Sequence, residues 1–137
     1  GVQTCALPIL KEEKANQELV LKAIQAGLVA SAHDCAEGGV AVALAESAFA
    51  NELGLQVTLP LKKEYLFAET QSRFILSVSP QHQEAFETLI GRKAQHIGKV
   101  TETGLIIHAL DDVINCSTKE AKALWEDAIP CLMKQKA

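Results

Sequence analysis

The chain has 137 residues, 48% of them apolar and 4% aromatic, and a formal net charge of −4. That length suits one domain with a real core, while the interspersed charges form no basic stripe for nucleic acid and no apolar run is long enough to span a bilayer. The cysteines (Cys5, Cys35, Cys116 and Cys131) are irregularly spaced without a C-x-x-C pair, which points to reduced thiols of a cytoplasmic protein and away from a disulfide frame or zinc site.

Residues Gly1–Ile9 read as the in-frame translation of a common sequencing adapter, GGA GTT CAG ACG TGT GCT CTT CCG ATC, and Leu10 is compatible with the adapter's next base. This segment is expected to be artefactual and to pack poorly, so that deleting it changes stability by less than about 0.5 kcal/mol. Residues 10–137 are then one domain, a C-terminal fragment of a longer protein.

Lys11–Ala26 carries Ala15, Leu19, Val20, Ala23 and Ile24 at helical spacing, and Gly27 followed by Leu28 suits its C-terminal cap. Leu28–Ala32 is a short strand or extended lead-in. Gly39–Ala50 is a helix apolar almost all round, hence central and buried, with Glu46 on its one solvent-facing stripe. Leu55–Leu61 alternates Val57 and Leu59 against Gln56 and Thr58, and Phe74–Val78 is rich in β-formers. Ser79-Pro80 starts a helix that Gly91 ends. Gln95–Thr101 and Leu105–Ala109 read as a hairpin around Glu102-Thr103-Gly104. Ser117-Thr118-Lys119-Glu120 is a capping box, after which Ala121, Leu124, Trp125, Ala128 and Ile129 follow helical spacing until Pro130, with Trp125 placed in the core. The pattern predicts an α+β fold: a mixed, mostly antiparallel sheet with helices packed on one face.

Two stretches hold chemistry. Ser31-Ala32-His33-Asp34-Cys35-Ala36-Glu37-Gly38-Gly39-Val40 runs from polar and acidic residues through a Gly pair into a helix. Such a turn points free N–H groups and a positive dipole end at an anion such as phosphate. On this reading His33 and Asp34 line a phosphate or substrate pocket. On the other, Asp34 caps the helix, His33 is an ordinary strand-end residue and Gly39 permits close packing. Glu37 suits a helix N-terminus, but it also repels a phosphate there or faces a metal bridging one. The second stretch, Glu69-Thr70-Gln71-Ser72-Arg73, offers a carboxylate, two hydroxyls, an amide and a guanidinium within five residues. It either fixes a polar ligand, with Arg73 gripping a phosphate bidentately, or is a solvated turn with Arg73 paired to Glu69. Cys35 reads as a buried structural thiol, and His82, His96 and His108 as scattered surface residues.

The turn S-A-H-D-x-x-E-G-G-x-A-V-A-L-A-E resembles the C-terminal domain of the phosphoribosylformylglycinamidine synthase family. Three further stretches carry the resemblance. Glu69–Leu76 is similar to the family's E-S-Q-S-R-F segment, Ile97–Thr101 to its I-G-x-V-T strand, and Leu124–Leu132 to the chain end of the small form. Thr70 stands where the family usually has Ser, and Cys35-Ala36 is one variant of a loose pair.

The resemblance implies the C-terminal domain fold of the aminoimidazole ribonucleotide synthetase superfamily. It also implies a parent enzyme of purine biosynthesis that uses ATP and Mg²⁺ to phosphorylate an amide oxygen, after which ammonia displaces phosphate. The family's catalytic His, most of its metal-binding acids and its nucleotide-binding sheet lie upstream of this region. The region resembles the second of two internal copies, the copy associated with an auxiliary nucleotide site. No catalytic residue or metal ligand is therefore assigned here, and the fragment alone is expected to bind no cofactor. The binding candidates are His33, Asp34, Glu37, Gly38, Gly39, Glu69, Thr70, Gln71, Ser72 and Arg73. Expected partners are the upstream domains, a separate glutaminase subunit and a small accessory subunit, because no glutaminase domain follows Pro130. The alternatives are another member of the superfamily, such as selenophosphate synthetase, and a structural domain that holds no ligand.

Overall fold

The computed structural model describes residues 2–6, 13–69 and 73–135, with only the backbone described over 2–6 and 129–135. In chain order the elements are β1 (Val2–Ala6), α1 (Glu13–Gln25), β2 (Ser31–Asp34), α2 (Gly39–Phe49), β3 (Gly54–Thr58), β4 (Phe74–Val78), α3 (Gln83–Ile90), β5 (Gln95–Thr101), β6 (Leu105–His108), β7 (Val113–Cys116) and α4 (Thr118–Gln135). The strands form one sheet in the order β2-β4-β1-β5-β3-β6-β7, antiparallel except for the parallel pair β3 and β6. This is the expected α+β class with a mixed, mostly antiparallel sheet.

The alternation of β4 builds two cores. Ile75 points into a cluster with Val40 and Leu44 of α2, Leu55 and Val57 of β3, and Leu105 and Ile107 of β6. Leu76 and Val78, with Phe74 at the edge, point the other way and meet Val20 and Ala23 of α1 and Phe86 and Ile90 of α3. The helices thus divide between the two faces instead of sharing one: α2 and the start of α4 on one side, α1 and α3 on the other. The reason lies in β4 itself, whose apolar residues Phe74, Ile75, Leu76 and Val78 need cover on both faces.

Two further expectations change. Gln95–Thr101 and Leu105–His108 are not a hairpin. β3 lies between them, antiparallel to β5 and parallel to β6, and Leu55 N–H donates to the Gly104 carbonyl at 2.8 Å. β5 already has β1 and β3 on its two edges, so β6 takes the far edge of β3 and makes its hairpin with β7. In the turn of that hairpin, the Val113 N–H and then Lys63 hold the Asp112 carboxyl below the usual carboxylate range. The second change concerns the N-terminal segment, expected to pack poorly. The backbone of Val2–Ala6 lies between β4 and β5, with Thr4 opposite both Leu76 and His96. Val2, Thr4 and Cys5 are good β-formers, and the edges of β4 and β5 offer unpaired ladder groups on both sides.

α4 begins as a capped helix, with Glu120 N–H donating to Ser117 Oγ at 3.0 Å. Buried Thr118 accepts from Gly104 N–H and donates to the Leu53 carbonyl. Beyond Lys122 the helix leans out, leaving Leu124 76% and Trp125 53% exposed, so Trp125 is not a core residue. Its ring leans on Phe49, with centroids 5.7 Å apart. The helix also runs through Pro130 to Gln135, since one missing ladder bond kinks a helix without ending it. Cys35 is buried as expected. Among the described residues no helix is long and apolar enough to cross a membrane.

Deleting residues 1–6 removes the ladder between β4 and β5. At a net ~1 kcal/mol for each hydrogen bond lost, urea unfolding should report a loss of at least about 2 kcal/mol. A deletion variant as stable as the whole chain would contradict the placement of β1. The lowered Asp112 carboxyl adds stability above its unfolded pKa of about 3.9, and that stability is lost as pH falls through the folded value. In Asp112→Asn the acid side of the stability profile should therefore be flatter than in the parent chain.

Candidate functional site

The two chemistry-bearing stretches meet because β2 pairs with β4. The ladder runs from Ser31–Ser77 to Asp34–Phe74 and continues one step further, with Cys35 N–H donating to the Arg73 carbonyl at 2.9 Å. The end of β2 and the start of β4 are therefore neighbours. Buried Cys35 anchors the strand end, and the chain then turns through Ala36–Gly38 into α2.

The Gly pair has a definite steric reason. Gly38 (φ 78°, ψ 4°) and Gly39 (φ 71°) are both left-handed, where L side chains are strained. A Cβ on Gly39 would lie 2.6 Å from the Phe67 carbonyl carbon and 2.7 Å from the Leu66 oxygen. The helix start is thus pressed against the backbone of Leu66-Phe67, and Ala41 N–H donates to the Leu66 carbonyl at 3.0 Å. Gly38 N–H donates to Glu69 Oε1 at 3.1 Å. The donor that the turn pattern offers to an anion is held by this chain's own carboxylate. The N-cap of α2 is Gly38, and among the described hydrogen bonds none runs from the Asp34 carboxylate to the helix start. Asp34, Glu37 and Glu69 are exposed.

Arg73 is not paired with Glu69 among the described ion pairs. Its Nε and Nη1 are buried without a hydrogen-bond partner, beside a small apolar cavity lined by Val40, Leu59, Leu61 and Ile97. Two guanidinium nitrogens are thus enclosed and unsatisfied. Thr70, Gln71 and Ser72 lie outside the described residues.

His33 sits at the other side of the turn. Its Nε2 is 3.1 Å from Glu46 Oε2, and its Nδ1 is 2.6 Å from the Asp34 carbonyl. Glu46 therefore faces His33, where a solvent stripe was expected. A lone acid in an apolar helix was the available signal, but a single sequence does not show which neighbour it meets. Along this part of α2 run two open grooves, of about 350 and 450 Å³, that share His33, Glu46 and Ala50. Ser31 and Ser77 share a hydroxyl–hydroxyl hydrogen bond at the wall of the first, and Trp125 and Lys122 line the second. His82 and His108 are half-buried and His96 is exposed, all away from the turn.

Among the described residues no three His, Cys, Asp or Glu side chains converge as a metal site. The acids around the turn do not fit Mg²⁺ on their own. What these residues offer is a polar corner: a carboxylate held on a backbone amide, a partly unsatisfied guanidinium and an imidazole with an oxygen within reach of each nitrogen.

Gly39→Ala should destabilise the chain more than Gly38→Ala. The first sets a Cβ against backbone of another segment, and the second against Val42, whose Cγ2 can turn away while its Cβ needs only a small shift of the first helical turn. Losses of about 3 and about 1–2 kcal/mol are expected in urea unfolding. The reverse order would refute the close approach at Leu66-Phe67.

Comparison with known proteins places this geometry. Thermotoga maritima PurL superposes in its complex with ATP at a TM-score of 0.70 and 21% identity, and in its complex with FGAR at 0.66 and 25%. These matches cover 86% and 78% of this chain but only 24% and 20% of PurL. The PurL-containing assembly PurLQS of the same organism gives 0.69 and 21%, covering 85% of this chain and 25% of that one. Hydrogenase maturation protein HypE in complex with ATP gives 0.63 and 15%, covering 83% and 49%. The chain thus spans a quarter or less of the PurL chains and about half of HypE. The family model described as "AIR synthase related protein, C-terminal domain" matches residues 7–110, and the chain belongs to that family.

Proposed function

We propose that the chain is the C-terminal domain of an ATP-dependent ligase of purine biosynthesis that converts formylglycinamide ribonucleotide to formylglycinamidine ribonucleotide. The observation that carries this reading is the union of its two polar motifs in one corner, through Gly38 N–H on Glu69 and Cys35 N–H on Arg73. PurL supports it as the superposed relative with both ATP and FGAR complexes. In this reading residues 10–137 are the domain, and Gly1–Ile9 are adapter-derived. The pairing of Val2–Ala6 is what a β-forming segment does beside two open ladder edges.

The reaction proceeds in two balanced steps. The substrate's amide oxygen attacks the γ-phosphorus of ATP and ADP leaves. Ammonia then attacks the imidate carbon and inorganic phosphate departs, so that a poor oxygen leaving group has become a good one. ATP, supplied with Mg²⁺ by the longer enzyme, provides the phosphoryl group. This chain contributes the walls of a polar corner. Arg73 offers N–H donors to an oxygen-rich ligand, Gly38 and Gly39 allow close backbone approach, and His33, Asp34, Glu37 and Glu69, with Thr70, Gln71 and Ser72, set its polarity. Ammonia comes from a separate glutaminase subunit joined through a small accessory subunit, and the similarity to PurLQS supports a multi-subunit setting. The setting is cytoplasmic.

A second reading has its own support. Glu69 already fills the anion-facing amide, which suits a structural domain that holds no ligand. The full-length parent separates the two. Under the first reading it forms product from ATP, Mg²⁺, substrate and ammonia, and uses glutamine only when the two subunits are added. Arg73→Met then lowers kcat/KM by at least about tenfold, as expected for a lost charge-assisted hydrogen bond. The 137-residue chain alone should show no turnover. Wild-type activity in Arg73→Met would favour the structural reading, and glutamine-dependent activity of the parent by itself would refute the subunit assignment.

A further inference from the structure

We propose that Glu46 is a positioning residue: it holds the His33 ring and, through that ring, fixes the carbonyl of Asp34 at the entrance to the Gly38-Gly39 turn. This inference rests on the reading of that turn as ligand-facing, and it adds a residue that the sequence pattern leaves on the solvent side.

The turn leaves β2 at Asp34 and enters α2 at Gly39, with Glu46 seven residues further along, about 10 Å down the helix axis at 1.5 Å per residue. His33 Nε2 lies 3.1 Å from Glu46 Oε2, and Nδ1 lies 2.6 Å from the Asp34 oxygen. One imidazole therefore bridges the body of the helix to the first carbonyl of the turn. Both nitrogens face oxygen acceptors, so both bonds form together only when the ring carries two N–H groups. Both side chains are only about one-third exposed, 32% for His33 and 31% for Glu46, so water competes for the pair incompletely.

On its far side the turn is held by Glu69 on Gly38 N–H and by the Leu66-Phe67 backbone against Gly39. Its near side includes the β2–β4 pairing at Asp34 and Phe74, Cys35 N–H on the Arg73 carbonyl, and the Glu46–His33–Asp34 contacts. Removing Glu46 releases the ring, so that the near side is left without the bridge from the body of α2 and loosens. Glu46→Gln keeps an acceptor oxygen at the same reach, so positioning should survive the loss of charge.

The test uses the 137-residue chain without nucleotide. Ring ¹⁵N shifts of His33 and amide hydrogen exchange at Cys35, Gly38 and Gly39 are measured in the parent chain, Glu46→Gln, Glu46→Ala, His33→Ala and the double Ala variant. Glu46→Ala should shift the Nε2 resonance and speed exchange at the turn roughly tenfold, the scale of one hydrogen bond to a charged group. Glu46→Gln should restore most of the protection, and the double variant should match His33→Ala alone. An unchanged His33 resonance in Glu46→Ala, a Gln variant as loose as the Ala variant, or equal acceleration throughout the β3–β5 ladder would each overturn the proposal. Because no nucleotide is present, such a failure bears on Glu46 alone. Arg73→Met in the full-length parent tests the ligand-facing reading separately.

Discussion

The close approach of Gly39 to the Leu66-Phe67 backbone is the constraint on which the rest of the molecule depends. It sets where α2 begins, because no Cβ fits between the helix start and that backbone. α2 in turn supplies the largest share of the core on its side of the sheet, with Val40 and Leu44 almost wholly buried. Because Leu66 and Phe67 lead directly to Glu69, the same contact carries the second polar motif to the first. A carboxylate then closes on the Gly38 amide without a long free loop to order.

The polar corner sits beside β4, and β4 is also the strand that both cores share. Its Ile75 and Leu76 face opposite clusters, so helices on either side brace it. Arg73, one residue before that strand, inherits this rigidity on its backbone while two guanidinium nitrogens stay unsatisfied. Buried unsatisfied donors are uncommon in folded proteins and costly to keep. Here they lie beside a motif already suited to polar ligands, in a chain that spans a quarter or less of its PurL relatives. A ligand oxygen or a carbonyl from the remainder of a longer enzyme has the chemistry to satisfy them.

Much of this was legible locally. Phe74–Val78 reads as a strand to the residue, Gly39 as the start of an apolar helix, Ser117 as a cap and Gly91 as a stop, because each is decided by neighbours in sequence. The errors are of long range. The Glu102-Thr103-Gly104 turn looks like a hairpin turn, and only the crowded edges of β5 show that β3 must insert there. Val113–Cys116 goes unnoticed because the turn before it carries no Gly, its shape coming from Ala109 N–H on the Asp112 carbonyl. The candidate site divides in the same way. Residue types and the Gly pair mark both motifs, but their union, the Glu69 contact and the Glu46–His33 pair each join residues at least thirteen positions apart. No periodicity reports such contacts.

The central claim is that the two motifs act as one ligand-facing corner. Hydrogen–deuterium exchange of the full-length parent, with and without ATP and Mg²⁺, tests it most directly. The account predicts that amides of Cys35–Gly39 and Glu69–Arg73 gain protection together, with the same dependence on nucleotide concentration. Protection confined to one segment, or absent from both while the upstream domains respond, would contradict it.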